Sequence, residues 1–312
     1  MDIIDKYPDL KWDWNEISKS SNLTIEFIRK HIDKNWNWYE LSKNKVITMD
    51  IIENNPDLIW NWHGISKNPN LTIKFIKKHI DKYWNWDKIS KNSAITIKDI
   101  ENNIDLSWNW HGISKNPNLT IDFIKKYIDK DWNWTYISYN SGINMEDIED
   151  NMDLQWEWEY ISGNHNITTD FIEKYINKPW NWHYISRNPK ITIEFIKNNL
   201  DKKLCLDCIS YNSGITLNII ENVMDLQWNW EHISANPNLT MNFIKKYSDK
   251  KWNWYWISNN KNFMYNTFDP NKNYDNNEWR ILSRSIFNIQ SKQLINKLNL
   301  HDDIKSNIKK NI

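Results

Sequence analysis

The chain has 312 residues, with 40 Lys+Arg against 40 Asp+Glu, so no global field draws it to nucleic acid or to an anionic membrane. Its only cysteines, Cys205 and Cys208, exclude a disulfide framework and suit a reducing compartment. No apolar stretch approaches the ~20 residues that span a bilayer, and MDIIDKYPDLKWDWN lacks a basic region followed by an apolar run, so a cytoplasmic protein without membrane contact is expected.

Along the chain, Met1-Asp2-Ile3-Ile4 aligns with Met49-Asp50-Ile51-Ile52, which places the start inside a repeating unit. The unit is 24 residues long and recurs without insertion: Trp12, Trp36, Trp60, Trp84, Trp108, Trp132, Trp156, Trp180, Leu204, Trp228 and Trp252 hold its first position. A second Trp follows two residues later wherever the first is Trp. A fixed period of this length implies a stack of units that share one continuous core. The expected fold is an all-α solenoid of about eleven helix-turn-helix repeats over residues 1–260. A leucine-rich repeat also suits this period and would need a strand at the Trp pair.

Within the unit at Trp60, Leu58, Trp62 and Ile65 are spaced as one helical stripe, with Asp57 as the expected N-cap and Asp81 in the same role for the next unit. Pro69 stops this first helix. Thr72 is the expected N-cap of a second helix, whose apolar face carries Ile73, Phe75, Ile76 and Ile80. Two helices of roughly two turns each are too short to stand alone. The Trp pairs are therefore expected to pack in the core and not to form a binding platform. A recurring Ser (Ser18 to Ser258) and a recurring turn Asn (Asn44, Asn68, Asn92 and onward) are expected to form a hydrogen-bond ladder between units. The position after the core Ile alternates in charge (Arg29, Glu53, Lys77, Glu101, Lys125), so this column is expected to pair with itself across neighbouring units. Beyond the repeats, 261–278 reads as a polar loop and 279–312 as a C-terminal capping helix and tail.

Catalytic, cofactor and metal sites are not expected. Cys205-Leu206-Asp207-Cys208 lacks a second Cys pair or a His at zinc spacing, and reads as a drifted unit in which Leu204 and Leu206 replace the Trp pair. His63, His111, His183 and His232 read as isolated surface histidines. The fifth position of each unit is expected to face away from the core. Its aromatic members Tyr136, Tyr160, Tyr184, His232 and Trp256 are the candidate partner-binding face, with stacking between units as the rival role.

The recurring W-N-W-x-x-I-S-x-N-x-x-[IL]-T-x-x-[FI]-I, with the heavy use of Asn, Lys and Ile, resembles tandem-repeat proteins encoded by amoeba-infecting giant DNA viruses. The resemblance covers about residues 1–260 and brings no catalytic residues to carry over. It implies a place in the cytoplasm of an infected cell or in a virion. The expected function is a non-enzymatic scaffold for a protein partner. A helical-repeat nucleic-acid binder is the alternative, which the alternating charge column and zero net charge weigh against.

Overall fold

The computed structural model describes residues 4, 5 and 12–260; the loop expected at 261–278 and the cap and tail at 279–312 lie outside them. The chain divides between Asn166 and Ile167 into two compact units, each an α-solenoid of the same helix pair. The described residues hold 21 helices of four to six residues and no strand, so the leucine-rich alternative falls.

Each repeat has a W helix, such as Trp62–Ile65, and a T helix, such as Ile73–Lys78. Both are shorter than the two turns expected. The T helix begins as the sequence implies: Thr72 Oγ1 accepts the Phe75 N–H at 3.2 Å. The W helix does not. Its N-cap is the Asn between the two Trp residues, and Asn61 Oδ1 accepts the Gly64 N–H at 2.8 Å. Asp57 and Asp81 cap nothing; Asp57 takes the Arg29 guanidinium at 2.8 and 3.1 Å, and Asp81 takes Lys82 at 3.2 Å. The reason is a tight turn, closed by the Trp60 N–H on Leu58 O at 2.9 Å, which keeps the stretch before Trp60 out of the helix.

The first Trp of a repeat closes the helix before it. Trp84 Nε1 donates to His79 O at 2.8 Å, the C-cap carbonyl of the preceding T helix, and Trp36, Trp60, Trp108, Trp132, Trp156, Trp180, Trp228 and Trp252 repeat the bond at the same offset. A helix end leaves carbonyls without partners, and a buried indole must find an acceptor, so one contact satisfies both needs. The second Trp is half-buried. Trp62 stacks on Phe75 of its own repeat at 6.1 Å and meets Trp84 of the next repeat edge-on at 5.1 Å. The Trp pairs are core, as expected.

Between repeats the expected ladder is present. Ser42 Oγ accepts the Asn61 N–H at 2.8 Å, and Ser210 Oγ does the same for Asn229 at 3.1 Å in the second unit. Asn68 shares its amide N–H groups among Ser42 O, Asn44 O and Ile47 O, at 2.8, 3.2 and 2.9 Å, while its Oδ1 accepts the Asn70 N–H. Asn often occupies turns because it tolerates positive φ, yet no described residue has positive φ. Here Asn is required for its amide. Around the ladder, Ile65, Leu71 and Ile76 are fully buried, and each such side chain contributes ~1.5–3 kcal/mol. No repeat encloses these residues by itself, so the stability belongs to the stack.

Candidate functional site

The fifth position of the repeat is the third residue of the W helix, and at Gly64 and Gly112 it stands against the preceding repeat. A Cβ built on Gly64 would stand 2.7 Å from Tyr39 O and 2.8 Å from Ser42 Cβ; at Gly112 the nearest atoms are Ser90 Cβ and Asp87 O. The fourth position of one repeat therefore faces the fifth of the next, 25 residues on. This corrects the outward-facing reading at Gly64 and Gly112, whereas the aromatic members Tyr136 and Trp256 are exposed. In the first unit Tyr160 is half-buried and Tyr136, 37% exposed, carries the Lys115 ammonium 3.6 Å from its ring centroid. In the second unit Tyr184 and His232 are half-buried, and the His232 ring lies 6.0 Å from Tyr211 and 6.1 Å from Trp256. Tyr136, Tyr160, Tyr184, His232 and Trp256 are thus divided between the two units, and Trp256 is 43% exposed.

The same geometry corrects the reading of Cys205-x-x-Cys208. Cys205 occupies the N-cap slot that Asn holds elsewhere, and Cys208 the third helical position, so their side chains face each other across the first turn. Their Cα atoms are 5.2 Å apart and the sulfurs are paired as a disulfide. The Cys208 N–H donates to Cys205 Sγ at 3.1 Å, and the Cys205 N–H donates to Ser186 Oγ at 2.9 Å. His183, at the fourth position of the preceding repeat, brings Nδ1 and Nε2 to 3.6 and 3.7 Å from Cys208 Sγ. The histidine that the sequence reading found missing comes from the neighbouring repeat. The 24-residue period leads from Cys208 to Tyr184; His183 stands one residue earlier, at the 25-residue offset that also brings Tyr39 to Gly64.

A second surface feature was also missed. The position one or two residues past the T-helix C-cap, expected on the apolar face, lies outside it: Ile32 is 49% exposed, Ile80 51%, Ile104 40% and Ile128 50%. Met152 continues the row in the first unit, and Leu200 and Met224 hold the same position in the second. The helix ends before this position, and the turn that leads to the first Trp carries the side chain outward. At the N-terminal end of the row, Ile32 and Ile59 line an open pocket with Arg29, Trp38, Asp57 and Leu58.

Charge is paired along a diagonal, not within the one column expected. Glu53 takes Lys78 at 2.8 Å and Glu221 takes Lys246 at 2.8 Å, while Glu101 takes Lys126. The column cations go elsewhere: Arg29 binds Asn55 and Asp57, Lys77 binds Asn103, and Lys125 binds Asn151. The Lys78 hydrogen bond holds the Glu53 carboxyl below its ordinary range, and Lys246 does the same for Glu221.

No described helix is long and apolar enough to cross a membrane. No family model, curated protein or solved structure matches the chain.

Proposed function

We propose that the chain is a non-enzymatic repeat scaffold that binds a protein partner through the exposed apolar row of its first unit. The observation that carries this reading is the placement of Ile80, Ile104, Ile128 and Met152, exposed at the same position of four successive repeats, with Ile32 at that position two repeats before Ile80 and Pro56 between them. The columns of Ile65, Leu71 and Ile76 are buried in the stack, and the second Trp of each repeat is half-buried; large exposed apolar patches are a feature of interaction surfaces. Stacked helices lie ~8–10 Å apart, so such a row presents anchors at regular intervals to an extended or helical segment. The pocket between Ile32 and Ile59 adds a recess with an Arg29–Asp57 pair at its side, a polar group beside apolar anchors.

The diagonal ion pairs support a protein partner over a nucleic acid. Lys78 and Lys126 are each matched by a glutamate of the preceding repeat, so this pair of cations is neutralised across the joints between repeats. The test compares the full chain with an Ile80→Ser/Ile104→Ser/Ile128→Ser variant in affinity capture from the native cell. Because these side chains stand half in water, the variant should melt with the parent. Loss of a defined protein species from the variant supports the reading; the same species on both chains overturns it.

A further inference from the structure

We propose that His183, Cys205 and Cys208 form a binding site for Zn2+ within the second unit. The three side chains offer one nitrogen and two sulfurs, and these atoms lie within 4.8 Å of one another. A tetrahedral zinc with Zn–S ~2.3 Å and Zn–N ~2.0–2.1 Å holds sulfur and nitrogen about 3.6 Å apart. Cys208 Sγ already stands 3.6 and 3.7 Å from the two nitrogens of the His183 ring, so either nitrogen comes forward by a small turn of an exposed side chain.

The surroundings favour a bound thiolate. The Cys208 N–H donates to Cys205 Sγ, and hydrogen bonding to the charged form of a ligand stabilises it. The donor set selects the metal: two thiolates and an imidazole suit a soft or borderline ion, and no carboxylate oxygen joins the group, which disfavours Mg2+ and Ca2+. Asp207 lies between the two cysteines in sequence, but its Oδ1 accepts the Asn229 side-chain amide at 2.6 Å. Three protein ligands leave the fourth tetrahedral position to water or to an external group.

The disulfide and the metal exclude each other. Two equivalents of an external thiol reduce the Cys205–Cys208 bond to two thiols and become a disulfide themselves; Zn2+ then displaces the two thiol protons. Reducing conditions therefore load the site.

The test uses the full chain, reduced with a phosphine, stripped of metal, and titrated with Co2+ and then Zn2+. We expect one equivalent of Co2+ to give a thiolate-to-cobalt charge-transfer absorption and tetrahedral visible bands, both displaced by Zn2+. C205S and C208S should each abolish the charge-transfer band, and H183N should weaken Zn2+ binding by more than about ten-fold. H183N alters only an exposed side chain and keeps the test open if a cysteine variant misfolds. Absence of the charge-transfer band in the reduced parent, or equal Zn2+ affinity in the parent and H183N, overturns the proposal.

Discussion

Ser66 Oγ accepts the backbone N–H of Asn85, 19 residues downstream in the next repeat, at 3.0 Å, while its own hydroxyl donates to Trp62 O at 2.8 Å. One buried hydroxyl thus ends a W helix and positions the start of the next. Replacing it with Ala removes the acceptor and leaves a backbone N–H near the core without a partner. We expect Ser66→Ala to cost about 1–3 kcal/mol, read from denaturant unfolding. A loss below a few tenths would mean the hydroxyl is incidental.

Asn68 gives the same joint a sign-sensitive test. Asn68→Asp keeps the acceptor for the Asn70 N–H and turns the donor into a carboxylate oxygen facing Ser42 O, Asn44 O and Ile47 O. The folded state then favours the neutral acid, which raises the folded pKa above the unfolded one. The penalty is therefore absent below the unfolded aspartate value and grows as pH rises past it, toward roughly 3 kcal/mol or more for a buried, unpaired charge. Melting temperatures of parent and variant across acid to neutral pH measure it. A pH-independent difference would show that the amide is not the donor.

Gly64 tests how closely neighbouring W helices approach. Ala at this position gains up to ~1 kcal/mol of helix propensity, but its Cβ would meet Tyr39 O at 2.7 Å. Overpacking against backbone costs ~1–3 kcal/mol, so the net effect of Gly64→Ala should be destabilising. At Gly163 the new Cβ would meet the exposed ring of Tyr139, which can swing away, and Gly163→Ala should be near neutral. Equal behaviour of the two variants in thermal melts would contradict the packing.

The ion-pair diagonal predicts an acid response. Glu53 and Glu221 have folded pKa values lowered by Lys78 and Lys246, so their contribution is present above the unfolded value and is lost as pH falls through the folded one. Melting temperature should therefore drop on acidification below about pH 4.3, and a Glu53→Gln/Glu221→Gln variant should show a shallower drop. Added salt should weaken the effect, since these pairs are exposed. An identical slope in parent and variant would remove the diagonal from the stability account.

The repeat, its helical character and the T-helix caps were legible because Thr72 and its equivalents stand alone as capping residues before an apolar stripe. The W helix was misplaced because Asp57 and Asn61 are equally good caps, and only the turn closed at Trp60 separates them. Ile80 fits a helical stripe by spacing, but the helix stops at Lys78. The cysteine site was hidden for a different reason. Local spacing describes contacts within one repeat, whereas His183 reaches Cys208 across a joint, at an offset that also joins Glu53 to Lys78.

The central claim is that a repeat has no stability apart from its neighbours. Far-ultraviolet circular dichroism of an isolated single repeat, residues 60–83, beside the full chain tests it most directly. We expect the isolated repeat to lack helix under conditions where the full chain is helical and melts cooperatively, because helices of four and six residues fall far below the ~12–15 residues needed for independent helicity. A helical, cooperatively melting single repeat would contradict the account.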